Sequence, residues 1–327
     1  MYIRKRWSEL SCTFTFKSSR MNYTDKEKNE FLNGSAKIED NHGSIETSVV
    51  IICVLNAPLM LTSIAGNILI LTAIKRTPSI RSRSITMLCS LAVSDLLVGF
   101  IAQPFFLASL LTRVYLIERM SKITAFCLCG VSLCTMTAIS TDRSLALQYP
   151  MRYQATVTAN QRALNTLVVI IWLGNFVFSG FYVWNWPLYF IMIATGVCIF
   201  ILVSTVCYIR IYRIVRHHQI QIQAQQQAAQ QNTKDGDTPN MARMKRSALN
   251  TFIFYIAMIL CYFPIIISLC VAGITSTNLP EVWHLADTVV FLNSTVNPVL
   301  YCWRLGEIRG AVLKILRQMS RRQADQP

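Results

Sequence analysis

Several polar side chains stand inside apolar runs, where hydrocarbon would otherwise surround them: Asn67, Asp95, Ser132, Asn293, Ser294 and Asn297. A charge at the centre of a bilayer costs about 2.5–3.5 kcal/mol on insertion scales, so such a group is partnered or functional. In the third apolar run, Ala125, Cys129, Ser132, Met136, Ile139 and Arg143 recur at intervals of three and four, which is one helix face. The seventh run repeats the pattern with His284, Asp287, Phe291, Ser294 and Pro298. Both stripes bring a serine to the depth of Asp95. With Asn293 and Asn297 they supply oxygens enough to hold a hard cation such as sodium beside the carboxylate. Spacing alone supports equally a hydrogen-bonded cluster that only packs helices.

Asp142-Arg143 closes the third stripe, and a dipeptide of this kind taken alone reads as a solvated surface pair. Pro264, in Cys261-Tyr262-Phe263-Pro264, and Pro298 each remove a backbone hydrogen bond and permit a kink. Enzyme chemistry lacks its parts. His42, His217, His218 and His284 are not grouped with a nucleophile or a metal set, and the eleven cysteines, all but Cys12 within apolar runs, have no CxxC form at spacings such as Cys127/Cys129.

The elements that position these residues are apolar and long. The chain of 327 residues is 53% hydrophobic and 14% charged, where a soluble domain carries about 25% charged residues. Seven runs, roughly 45–74, 85–111, 119–141, 163–183, 188–212, 247–273 and 282–303, each reach the ~20 residues that cross a bilayer. None alternates as an outer-membrane strand does, so the fold class expected is all-α, a seven-helix membrane bundle. The net charge is +15, and the basic residues of the loops gather on one side. Lys75, Arg76, Arg81, Arg83, Arg143, Arg152, Arg162, Arg213, Arg216, Lys234, Arg243, Lys245 and Arg246 share it with the C-terminal tail, whereas the opposite loops hold little beyond Arg113 and Arg119. The positive-inside rule then puts the N-terminus outside and the C-terminus in the cytoplasm, and the basic balance belongs to the anionic leaflet rather than to nucleic acid.

Three regions follow: an extracellular tail over 1–44, a seven-span domain over 45–303 with a third cytoplasmic loop at about 213–246, and a cytoplasmic segment over 304–327. The tail has no apolar leader, so the first span is expected to act as the membrane signal. Translation starting at Met21 rather than Met1 is the alternative raised by the basic residues 1–20. Asn22 and Asn33 head glycosylation sequons on the outer side, and a third sequon at Asn293 lies within a span. The Gln/Ala-rich run Gln219 to Gln231 reads as a partly helical extension of the fifth span. A transporter would show matching broken helices, and a channel a polar pathway; neither is present.

These features, in order, resemble the rhodopsin-like (class A) G-protein-coupled receptors over about residues 45–316. Gly66-Asn67, Leu91-Ala-Val-Ser-Asp95, Asp142-Arg143, Trp172, Tyr208, Cys261-Tyr-Phe-Pro264 and Asn297-Pro-Val-Leu-Tyr301 each match a family motif on the expected span. The resemblance implies a plasma-membrane receptor that binds an extracellular ligand and activates heterotrimeric G proteins, with arrestin as a further partner. Its sixth helix would pivot near Tyr262 and Pro264, with Asn297 and Pro298 part of the same switch. Asp142, Arg143, Tyr208 and Tyr301 would serve coupling. Asp95, Ser132, Asn293 and Asn297 would hold a sodium ion as allosteric modulator, and no other cofactor is implied. Arg304 to Leu316, with Leu305, Ile308, Val312 and Ile315, looks like the family's amphipathic eighth helix, in contact with membrane lipids.

The sequence also departs from the family. Tyr262 replaces a tryptophan, Ser144 a tyrosine and Phe200 a proline. Met244 stands where an acid often locks the arginine, which would raise basal activity. The disulfide from the third span to the second outer loop is absent: Glu118 occupies the helix position and Trp184-Asn-Trp-Pro187 has no cysteine. Melanocortin, cannabinoid and lysophospholipid receptors share that absence, while Leu-Ala-Val-Ser-Asp is equally like amine or adenosine receptors. The pocket implied is largely apolar, with Phe126, Cys129, Met192, Ile193, Ile265, Ile266, Leu269 and Phe291, and has Lys122, Asp287, His284 and Glu118 near its mouth. Ala125 stands where amine receptors carry aspartate, and no lysine for retinal occurs in the seventh span. Asp287 would pair with Lys122 or hold a cationic ligand; a lipid, another small molecule or a small peptide all fit. A decoy or arrestin-only receptor of the same fold is the alternative that Ser144 and Tyr262 keep open.

Overall fold

The computed structural model describes residues 47–77, 83–149, 151, 153, 161–184, 186–228, 253, 255–268, 271, 280–304 and 306–324. Its helices are α1 (Thr47–Arg76), α2 (Arg83–Leu97, continued through a π turn at Val98–Ala102 into Gln103–Thr112), α3 (Tyr115–Gln148), α4 (Gln161–Trp184) and α5 (Trp186–Ala228). They are followed by α6 (Tyr255–Ser268), α7 (Pro280–Arg304) and α8 (Gly306–Ala324). No strand occurs among the described residues. Helices α1 to α7 fall on the seven apolar runs, and α5 continues to Ala228, so the Gln-rich extension is helical to that point. The 1–44 tail with Asn22 and Asn33, the loop residues 229–246 with Met244, and Leu269 lie outside the described residues.

The surrounding medium explains why these segments are helices. Hydrocarbon offers backbone groups no partner, so a spanning segment must satisfy its own N–H and C=O groups. The helices α1 to α5 each carry a stretch long and apolar enough to cross a membrane. Helix α7 is the more polar one, because it carries Asp287, Asn293, Ser294 and Asn297. On the outer surface the usual burial rule inverts: on α4, Ile170, Leu173 and Phe176 are 60%, 60% and 72% exposed, an apolar display that suits lipid rather than water. Hydroxyls near that surface are satisfied within their own helices. Thr62, Thr72, Thr124 and Thr195 each donate to a carbonyl one turn back at 2.6–2.8 Å.

Two apolar clusters hold the bundle. One gathers Ile70, Leu91, Leu133, Met136, Met258, Tyr262 and Tyr301 and extends to Ile308, Val312 and Ile315 of α8. The other gathers Val49, Ile52, Val98, Phe106, Leu128, Cys129 and Phe291. Arg113 ends α2 in the left-handed region, φ 52, with its N–H donating to Ser109 O at 3.1 Å, and two residues suffice to turn into α3. Helices α1 and α7 meet at Gly66, where an added Cβ would lie 2.9 Å from Pro298 Cβ. Helix α8 buries Ile308, Ala311, Val312 and Ile315 and leaves Arg309, Lys314, Arg317 and Arg321 exposed, as an interfacial helix does.

Candidate functional site

At the middle of the bundle the polar residues of α1, α2, α3 and α7 meet. Asp95 is fully buried. Its Oδ1 accepts from Ser132 Oγ at 2.9 Å and Ser294 Oγ at 2.8 Å, and its Oδ2 accepts from Asn297 Nδ2 at 2.8 Å. Ser94 and Ser132 share a 2.9 Å hydroxyl contact, Ser63 Oγ donates to Asp95 O at 2.9 Å, and Asn67 Nδ2 donates to Ser63 O and Ser294 O at 2.9 and 3.2 Å. Thus Ser132 and Asn297 join Asp95 directly, and Ser294 makes a third donor. Asn293 is beside the cluster without touching the carboxylate: its Nδ2 donates to Met136 Sδ at 3.7 Å. The side-chain oxygens of Asn67, Asn293 and Asn297 are buried without a hydrogen-bond partner among the described residues. Orphaned buried acceptors carry a free-energy cost of about 1–3 kcal/mol each. A carboxylate, two hydroxyls and unmatched amide oxygens are the donor set of a hard cation, so the residues present fit sodium.

At one end of the bundle, Asp142 follows the α3 stripe and precedes Arg143. Both of its carboxylate oxygens accept from Tyr153 Oη, at 2.9 and 3.0 Å. No motif or spacing marked Tyr153, which sits beyond α3 in a helical turn, its N–H donating to Tyr149 O at 2.8 Å. Tyr208 stacks on Tyr255, centroids 5.3 Å apart and planes 9° apart, while Tyr255 Oη and Thr205 Oγ1 are 2.8 Å apart. Tyr301 is buried against the lower cluster. The indole of Trp172 donates to Ser90 Oγ at 3.0 Å, which fastens α4 to α2.

Between these regions Tyr262 takes the place of the family's tryptophan. It is buried, and its hydroxyl donates to the backbone carbonyl of Cys129 at 2.9 Å, tying α6 to α3 two residues before Pro264. Above it lies a cavity of about 580 Å³ lined from α3, α4, α5, α6 and α7, with Phe126, Cys129, Ile265 and Asp287 among its walls. That volume is within the range of small-molecule sites. Lys122 and His284, both expected in the pocket, stand off its lining. Lys122 Nζ donates to Asp287 Oδ2 at 3.1 Å, with the two side chains 18% and 13% exposed. Of the two readings for Asp287, the pairing is the one observed. His284 meets the edge of Phe106 at 5.9 Å, and its carbonyl accepts from Thr288. Met192 and Ile193 of α5 and Phe291 of α7 line it as expected, whereas the α4 wall at Gly174, Asn175 and Phe178, and Gly196 of α5, were not foreseen.

Seven helices around a buried carboxylate, with an apolar cavity toward one end and the Asp142-Arg143 pair toward the other, form a multi-pass membrane bundle. The sequence signature of the 7 transmembrane receptor (rhodopsin family) matches residues 66–185 and 180–301. The chain belongs to that family. It is also 26% identical to melanocortin receptor 3 of Homo sapiens over 275 residues, covering 79% of this chain and 83% of the relative.

Proposed function

We propose that this receptor takes a small, mostly apolar ligand into the cavity above Tyr262 and passes the signal to a heterotrimeric G protein at the Arg143 end. The observation that carries this reading is the position of Tyr262. The same side chain lines the cavity and bonds α6 to the Cys129 carbonyl. A ligand that displaces Tyr262 weakens that tie and shifts the population toward states in which α6 stands away from α3. Agonist, sodium and G protein then each bias one equilibrium by their differential affinity for its two states. Tyr208, Tyr301 and the Asp142-Arg143 pair belong to the coupling end, with arrestin as a further partner there. Pro264 and Pro298 supply the flexible points.

In this reading the cavity opens outside the cell and the basic α8 lies on the cytoplasmic leaflet, as the loop charges direct. The three-part division at 44 and 303, plasma-membrane residence and glycosylation at Asn22 and Asn33 follow from the same orientation. Sodium belongs at Asp95, Ser132 and Asn297, with Ser294 and the nearby Asn293, where it supplies positive charge to a carboxylate in a low-dielectric interior. Likeness to a melanocortin receptor adds melanocortins to the ligand panel, alongside lipids and small amphiphiles.

The test is G-protein activation in cells expressing the chain, read with sensors for several α-subunits beside Arg143→Ala. Signal above mock that disappears with Arg143→Ala supports coupling. Surface expression with no response from any sensor under the panel overturns it in favour of a receptor fold that does not couple.

A further inference from the structure

The cavity is not confined to the interior of the bundle. Its inner wall holds Cys129, Leu133, Tyr262, Val290 and Phe291, all buried or half-buried, but its far wall is made by Gly174 of α4 and Ile191, Thr195, Gly196 and Ile199 of α5. Gly174, Ile191, Thr195 and Ile199 are exposed on the surface that faces lipid. One continuous space therefore connects Asp287 to the bilayer side of α4 and α5. The gap is wider than a methyl group there: an added Cβ at Gly174 or Gly196 would meet nothing within 4 Å.

The chemistry of the passage is that of hydrocarbon. Two of its polar members are committed within the protein, since Thr195 Oγ1 donates to Ile191 O at 2.8 Å, and Asn175 Nδ2 donates to Ile171 O at 2.8 Å and Cys134 Sγ at 3.6 Å, while the buried Tyr189 hydroxyl has no hydrogen-bond partner among the described residues. The charged group in the lining is Asp287, paired with Lys122. From Ala125 to Leu133 the α3 wall runs eight residues, about 12 Å at 1.5 Å per residue. That length suits an alkyl chain with its polar end near the ion pair.

We infer that the ligand is a single-chain amphiphile whose hydrocarbon chain enters from the bilayer, between α4 and α5 at Gly174 and Gly196. This rests on the reading of the cavity as the ligand site, but not on coupling to a G protein.

The test uses the full chain, purified in detergent and reconstituted into phosphatidylcholine vesicles containing palmitic acid with a diazirine at the end of its chain. After photolysis, labelled residues are mapped by mass spectrometry in the wild type, in Gly174→Phe and Gly196→Phe singly, and in Gly174→Ala/Gly196→Ala. The expected result is label on Phe126, Leu133 or Ile265 in the wild type and in the alanine variant. That inner label falls several-fold when phenylalanine plugs the gap, while label on lipid-facing Leu173 and Phe176 is unchanged. Two results overturn the inference: inner walls unlabelled in the wild type while Leu173 and Phe176 react, or inner labelling insensitive to both plugs. The alanine variant, which narrows without filling, guards against a plug that merely disturbs folding. Arg143→Ala separates the two readings, because it silences coupling and leaves the labelling pattern intact.

Discussion

Removing one member of the Lys122–Asp287 pair should destabilise the receptor more than removing both. The pair is short, 3.1 Å, and mostly shielded at 18% and 13% exposure, and it joins α3 to α7 at the mouth of the cavity. Breaking a fully buried pair by deleting one partner costs about 3–5 kcal/mol, because the surviving charge has no counterion. Partial access at the mouth lowers that figure. So does Glu118, one turn before Lys122 on the same helix, as a substitute counter-charge; about 2–3 kcal/mol remains. At about 2–4 °C per kcal/mol for a chain of this size, Asp287→Leu or Lys122→Met alone should lower the apparent Tm by about 4–12 °C. The double variant Lys122→Met/Asp287→Leu leaves no unpaired charge at this position, and should lie closer to wild type than either single variant. The assay is a fluorescence-monitored temperature ramp on detergent-purified receptor. A double variant whose loss equals the sum of the two single losses would refute the reasoning, since independent residues add and a mutually neutralising pair does not.

Tyr262→Phe keeps the ring and removes the donor to Cys129 O; losing about 0.5–1.5 kcal/mol of α3–α6 tether should raise ligand-free signalling about two- to ten-fold, and an unchanged basal signal at equal surface expression would count against the tether. Sodium should raise the Tm of the wild type and not of Asp95→Asn, by the linkage of an ion to the state that binds it; equal Tm values in sodium and choline chloride for the wild type would remove sodium from the Asp95 cluster. Gly66→Ala drives a methyl group to 2.9 Å from Pro298 Cβ and should cost about 1–3 kcal/mol through overpacking, read as a lower Tm and reduced surface yield; wild-type values for both would contradict the close approach of α1 and α7.

The parts of this fold legible in the sequence are those that depend on period and composition. Seven apolar runs predicted seven helices, and steps of three and four residues put Ser132 and Ser294 on the faces that meet Asp95. Periodicity gives the face of a helix but not the reach of a side chain. Asn293 is one residue from Ser294, yet its amide turns to Met136 while the serine takes the carboxylate. The Lys122–Asp287 contact was legible because opposite charges in hydrocarbon have few other partners. The Tyr153–Asp142 bond was not, because Tyr153 lies past the end of α3, beyond the apolar run whose period placed the other residues. The outward reach of the cavity was hidden for another reason. It depends on the spacing between two helices, α4 and α5, and spacing between helices leaves no motif.

The exchange of tryptophan for tyrosine at position 262 changes more than size. An indole N–H is fixed in the ring plane at its edge, whereas the phenol carries its donor at the far tip of the ring. That tip reaches across the bundle to a backbone carbonyl of α3. A carbonyl survives every substitution at Cys129, so the tether is set by Tyr262 alone and is insensitive to the side chain opposite. The departures at Tyr262 and Phe200 both fall on the cavity wall, and Ala125, where an amine receptor would carry its aspartate, lies on the same wall. With no acid at that position and an apolar wall extended by Phe200, the charge in the lining is Asp287, which is already paired with Lys122. In the proposed reading, ligand energy comes from burial of hydrocarbon at about 0.8 kcal/mol per CH₂, delivered against the ring that bonds α6 to α3. Cys129→Ala should therefore leave basal signalling near wild type where Tyr262→Phe raises it, and a rise of equal size in both variants would show that side-chain packing, not the hydroxyl-to-carbonyl bond, holds the two helices together.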